Sequence, residues 1–183
     1  MHRALRIPLI ATFSALAIAL NYAFAAIPNV QLFDFIVYLT AFSFGFDIGA
    51  GVAVVTWLVY GYLNPWGFFL PILAATTVSE PIYAIAGTAA ARSPRLWKQT
   101  RIAALVHALN ALWTTLVYDL LTASAYALVF HVPLLAALLA QIPFTILHLA
   151  ANIPLFSLTP LIASYLDRSL PAGLVRKPAN SSI

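Results

Sequence analysis

Every basic residue in this chain lies near one of its ends or inside a single ten-residue stretch, and the segments between are apolar. The nine Lys and Arg are Arg3 and Arg6, then Arg92, Arg95, Lys98 and Arg101, then Arg168, Arg176 and Lys177. Short loops rich in Lys and Arg stay on the cytoplasmic side of a membrane, because carrying that charge across the bilayer is costly. The stretch 92–101 therefore orients everything before and after it. Pro94 and the charges at its two ends also stop the flanking helices. Composition agrees: 63% of residues are hydrophobic and 8% charged, against about 25% charged in a soluble domain. A chain this poor in charge cannot cover itself with a polar surface. Its net charge of +4 is confined to the termini and one loop, which reads as orientation and not as a nucleic-acid footprint. It has no cysteine, so disulfides and thiolate metal sites are excluded.

The apolar runs predict an all-α integral membrane protein with six transmembrane helices. Span one covers 7–26, about the 20 residues that cross ~30 Å of hydrocarbon. A cleaved signal peptide ending at Ala23-Phe24-Ala25 is the rival; Asn21 and the regular alanine spacing favour a helix that stays. Spans two (32–46) and three (48–63) are short, since ~15 residues at 1.5 Å each reach only ~23 Å. They form either a transmembrane pair or a re-entrant hairpin. Gly45, Gly49, Gly51 and Ala53 allow close helix approach there. Span four (68–91) is interrupted by Pro71 and Pro81, span five covers 102–130, and span six (134–158) carries Pro143 and Pro154. Residues 161–166 continue along the inner surface. Residues 1–166 make one membrane domain, and 167–183 a basic cytoplasmic tail expected to fray. With both termini cytoplasmic, every Lys and Arg falls inside and none outside.

Polar side chains within the spans carry the functional reading, because a charge near the bilayer centre costs about 2.5–3.5 kcal/mol on insertion scales and usually faces the bundle or water. Residues three, four and seven apart share a helix face. Span five carries Thr115, Asp119, Thr122 and Tyr126 on one stripe. Span six carries Gln141, Thr145, His148 and Asn152. Thr76, Thr77, Glu80 and Tyr83 cluster on span four, and span two adds Asp34 and Tyr38. These stripes are expected to converge on a cavity open to the outside. Tyr60, Tyr62, Asn64, Pro65, Trp66, Phe68 and Phe69 form an aromatic outer edge, either an interfacial belt or a wall for a ligand. The candidate substrate contacts are Asp34, Tyr38, Tyr60, Asn64, Trp66, Glu80, Tyr83, Asp119, Tyr126, Gln141 and His148. Asn21, Thr145, Asn152 and His107 are read instead as packing or interhelical bonds, while Asp34 fits either description.

Catalytic readings are weak. Asp119, His148 and a serine would make a triad, but no G-x-S-x-G elbow is present. No histidine pair has metal-ligand spacing, and no G-x-x-x-x-G-K-[ST] loop binds ATP. Neither a catalytic residue, a metal nor a cofactor is assigned. Span one carries a different signal: Ala11, Ala15, Ala19 and Ala23 repeat every fourth residue. Turning ~100° per residue, Ala15, Ala19 and Ala23 lie opposite Asn21, and the strip offers a smooth surface on which another helix packs closely. Internal packing against span three or six is the alternative.

Taken in order, these features resemble the substrate-binding S components of energy-coupling factor (ECF) vitamin transporters. The resemblance rests on the six short spans, the alanine strip, Ile27-Pro28-Asn29-Val30 before span two and the glycine-rich turn from Gly45 to Gly51. It extends to Asn64-Pro65-Trp66-Gly67, Tyr118-Asp119-Leu120-Leu121-Thr122 and Pro143-Phe144-Thr145-Ile146-Leu147-His148. It covers roughly 7–160. The turn at Asp47 lacks the proline often found after that glycine. The resemblance implies a protein of the prokaryotic cell membrane that binds a vitamin or related micronutrient from outside. It would work with a transmembrane coupling (T) subunit and two cytoplasmic ATPases, docking through Ala11, Ala15, Ala19 and Ala23. Asn29 and Gln31 would form part of the gate. Two other readings stand beside it: a stand-alone carrier using Glu80, Asp119 and His148 as a proton relay, and, last, an intramembrane enzyme. For the ligand, acids and aromatic rings suit a thiamine-like cation, and the same groups suit an amide- or hydroxyl-rich cofactor such as a cobalamin.

Overall fold

A computed structural model of the chain describes residues 3–27, 30–65 and 67–176. Among these, the secondary structure is entirely helical. The helices are α1 (Arg6–Ala23), α2 (Leu32–Phe44), α3 (Phe46–Tyr62), α4 (Leu70–Ser79), α5 (Pro81–Ala90), α6 (Arg101–Val129), α7 (Leu134–Ser157) and α8 (Thr159–Ser169). Four segments are long and apolar enough to cross a membrane: α1, α4 with α5, α6, and α7. The molecule is a bundle of apolar helices suited to repeated membrane crossing.

The central element is one of the short apolar ones. All of α2 from Phe33 to Phe44 is buried, although its 13 residues extend only ~20 Å. It packs against α1, α3, α5, α7 and α8. A bulky helix can sit this deep because its neighbours offer glycine where they cross it. A Cβ on Gly87 of α5 would run into the Tyr38 carbonyl oxygen, and one on Gly49 of α3 into Ala41. Only Gly45 separates α2 from α3, at φ +99° and ψ 167°, backbone that essentially only glycine adopts.

Span four divides. Pro81 has no N–H to continue the ladder, and the helix breaks at Glu80, which is fully buried. Below the break α5 packs on α2 and α3; above it α4 packs on α6 and α3. The break thus places a carboxyl side chain inside the bundle.

The basic loop is ordered by its own chemistry. Residues Pro94–Trp97 form a 3-10 turn. The indole of Trp97 donates to the Ala91 carbonyl at 3.0 Å and stacks on Phe42, with centroids 4.3 Å apart. Thr100 caps α6, its Oγ1 accepting from the Ala103 amide at 3.1 Å, as a Thr N-cap does. Of the tail expected to fray, the described residues 170–176 pack instead. Leu174 and Val175 are buried, and the Arg176 amide donates to the Ser43 carbonyl at 2.7 Å. The step from membrane domain to tail at Asp167 therefore falls inside α8, and the chain stays attached through Arg176. Arg6 pairs with Asp47 at 3.2 Å. These contacts gather Arg6, the basic loop and Arg176 at one end of the bundle. The opposite end is held by Tyr22 donating to the Leu63 carbonyl at 2.8 Å and by Phe69 against Phe130.

Along α1, Ser14, Ala17 and Asn21 are buried, while Ala11, Ala15, Ala19 and Ala23 are exposed. The polar residues face the bundle and the alanine strip faces away from it.

Candidate functional site

The site is built where four helices place acidic, amide and imidazole groups at one level. Asp34 lies in the first turn of α2, Glu80 at the break before α5, Asp119 on α6 and His148 on α7. Asp34, Glu80 and His148 are fully buried, and Asp119 nearly so. Buried charge persists only when paired and hydrogen-bonded, and His148 does the pairing. Its Nε2 hydrogen-bonds Asp34 Oδ2, and its Nδ1 lies 3.0 Å from Asp119 Oδ1. A neutral imidazole donates from one nitrogen only. An imidazolium donates from both and suits a place between two carboxylates.

The amides and hydroxyls complete the network. Thr145 donates to Asp119 Oδ2 at 2.6 Å. Asn152 Nδ2 gives one hydrogen to Asp34 Oδ2 at 2.8 Å and the other to Thr115 Oγ1 at 2.9 Å. The Tyr83 hydroxyl reaches Thr115 at 3.4 Å. Trp57 of α3 donates its indole N–H to Glu80 Oε2 at 3.0 Å. Three acceptor oxygens of the cluster receive no donor: Asp34 Oδ1, Glu80 Oε1 and Asn152 Oδ1. The Asp34 and Glu80 carboxyls are within hydrogen-bonding reach of one another.

Two cavities border this network on the side away from the basic loop. One, of about 240 Å³, is lined by residues including Trp57, Asn64, Phe69, Thr76, Tyr126 and Phe130. The other, of about 380 Å³, shares Ile72 and Tyr126 with it and extends to Gln141 and Phe144. A third, of about 200 Å³, opens beside Asp119 and Thr145. These volumes lie near the lower end of the small-molecule range.

No protein-family model, no curated protein and no solved structure matches this chain.

Of the residues singled out in the sequence, Asp34, Glu80, Asp119 and His148 meet in one cluster, with Tyr83 at its edge. Tyr126, Gln141 and Asn64 line the cavities. Tyr60 packs in a ring cluster with Tyr22, Phe33 and Trp57. Tyr38 lies elsewhere: its hydroxyl hydrogen-bonds His107 Nδ1 at 2.6 Å and accepts from Asn110 at 3.0 Å, while His107 Nε2 donates to the Leu96 carbonyl at 3.1 Å. That second network ties α2 and α6 to the basic loop. Gln31 is half-buried; Asn29 and Trp66 lie outside the described residues. The polar stripes converge on one another, and the cavities lie beside them.

Thr145 and Asn152, read from the sequence as helix glue, hold the two aspartates in place, and Trp57 was not singled out at all. Its one signal is generic: a tryptophan deep in an apolar helix needs a partner for its N–H. Among the described residues no group of three or more His, Cys, Asp or Glu is arranged to hold a metal ion.

Proposed function

We propose that this chain is the membrane-embedded, substrate-binding S component of an ECF-type importer. It sits in a prokaryotic cell membrane with its basic end and both termini in the cytoplasm. It captures a small micronutrient from outside and releases it inward together with a T subunit and two cytoplasmic ATPases. The observation that carries this reading is the polarity of α1. Ser14, Ala17 and Asn21 turn into the bundle and the four alanines turn out. Lipid contact alone favours no such smooth strip, whereas a second helix approaches most closely over small residues. The cavities at the end away from the basic loop support a ligand arriving from the opposite side of the membrane.

The test is purification of the tagged full-length chain from host membranes, with its companions identified by mass spectrometry. The expected companions are a polytopic membrane protein and ATPases carrying G-x-x-x-x-G-K-[ST]. Ala15→Trp and Ala19→Trp are expected to lose them while the purified chain keeps its thermal unfolding midpoint. Recovery of no ATPase, or full retention by both variants, would refute the assignment.

A second reading has its own support. His148 bridges Asp34 and Asp119 beside Glu80, a run of exchangeable protons through the bundle of the kind proton-driven carriers use. Uptake in cells without coupling proteins, abolished by an uncoupler, would favour a stand-alone carrier.

A further inference from the structure

We propose that the 240 Å³ cavity over Trp57 is a binding site for a compact organic cation, a quaternary or protonated nitrogen group. The proposal deepens the nutrient-binding reading by naming the charge class of the ligand. Three observations on different elements carry it.

The first is the wall of the cavity. Trp57, Phe69, Tyr126 and Phe130 all line it. Phe69 and Phe130 have centroids 5.2 Å apart, and Tyr126 and Phe130 4.6 Å apart. Clustered ring faces of this kind hold cations through their quadrupoles, tryptophan best of all. The second is what lies behind Trp57. Its indole N–H donates to the Glu80 carboxyl group, while Glu80 is fully buried and does not line the cavity. A donor bonded to a carboxyl oxygen is polarised by it, which makes the ring more negative on its open side. The third is the make-up of the buried network: three carboxyl groups, Asp34, Glu80 and Asp119, stand against the one imidazole of His148. Its side-chain atoms that receive no donor, Asp34 Oδ1, Glu80 Oε1 and Asn152 Oδ1, are all acceptors. A positive group over Trp57 is drawn to this acceptor-rich cluster through a medium of low dielectric, where a neutral molecule of the same shape is not. The adjoining 380 Å³ cavity, with Gln141 and Phe144, takes the remainder of a larger molecule.

Full-length protein in lipid nanodiscs tests this with a matched pair of probes: 1-methyl-3-carbamoylpyridinium and its neutral isostere 3-methylbenzamide. By isothermal titration calorimetry the cation is expected to bind roughly tenfold tighter than the isostere. Glu80→Gln, which keeps an acceptor for Trp57 but can carry no charge, is expected to erase most of that preference. Tyr126→Leu and Phe130→Leu, at half-exposed positions, are expected to weaken the cation several-fold and leave the isostere unchanged. They decide the matter if Glu80→Gln does not fold. Equal affinity for the two probes, no binding of the cation, or full preference in both ring variants overturns the proposal. A chain that prefers the cation but never retains an ATPase keeps this site and loses the importer assignment. A chain that retains its partners without preferring the cation does the reverse.

Discussion

Nδ1 of His148 lies 3.0 Å from Asp119 Oδ1, clamping α7 to α6 at the level where Thr145, one turn away, donates to the other oxygen of the same carboxylate at 2.6 Å. The opposite nitrogen of the ring holds Asp34 of α2. One side chain thus joins three helices and pairs with two of the three acids. The consequences are open to measurement.

Removing the imidazole strands two buried carboxylates. His148→Leu is expected to destabilise the bundle by about 3–5 kcal/mol, the usual cost of breaking a buried pair from one side, read by denaturant titration in mild detergent. Asp119→Asn removes the charge and one of two acceptors: the amide oxygen can still take the His148 Nδ1–H, whereas the amide nitrogen cannot accept from Thr145. The variant is expected to weaken ligand binding while leaving membrane insertion as in the parent. Unchanged affinity would take Asp119 out of the site.

The second buried network governs the basic loop. Tyr38→Phe removes the hydroxyl that serves His107 and Asn110, leaving a buried nitrogen without its donor. A loss of about 1–3 kcal/mol is expected. Because His107 also holds the Leu96 carbonyl, trypsin is expected to cut between Arg92 and Arg101 faster in the variant. An unchanged cleavage rate would show that the loop is anchored without His107, by Trp97 on Phe42 and Ala91 and by Gln99 on Ser164.

The crossing of α2 and α5 depends on a missing methyl group. Gly87→Ala drives a Cβ into the Tyr38 carbonyl and against Ala41, all of it rigid helix, and is expected to cost about 1–3 kcal/mol. Gly51→Ala meets only the end of the Ile10 side chain, which can rotate away, and is expected to cost much less. Equal thermal shifts for the two would contradict the close crossing.

Orientation has a direct readout, since the chain contains no cysteine. Ser93→Cys in the basic loop is expected to react with an impermeant maleimide only after the membrane is opened. Labelling in intact cells would invert the bundle and move the cavities to the cytoplasmic face.

The helices were largely readable from the sequence. The start of α6 at Arg101 and the start of α7 at Leu134 fall within one residue of where the apolar runs put them. Runs of one solvent preference are local, and proline, charge and a threonine cap mark their ends. The division at Glu80 was foreshadowed by Pro81, though not its effect of turning α4 and α5 onto different neighbours. The anchoring of Leu174 and Val175 was not foreshadowed at all, because a basic tail reads the same whether it packs or frays.

What the sequence determined by itself was therefore each helix, its polar face and the positive end of the bundle. Those follow from the 3.6-residue period and from the cost of placing charge in hydrocarbon, which act on each segment separately. The tertiary structure alone decided which face meets which. It joined Asp34 to His148 across 114 positions, set Trp57 of α3 on Glu80, and sent Tyr38 to His107 instead of to the acidic cluster. Spacing along one helix carries no information about the rotation of the next. That rotation is set by packing, here by where Gly49 and Gly87 let α2 come close.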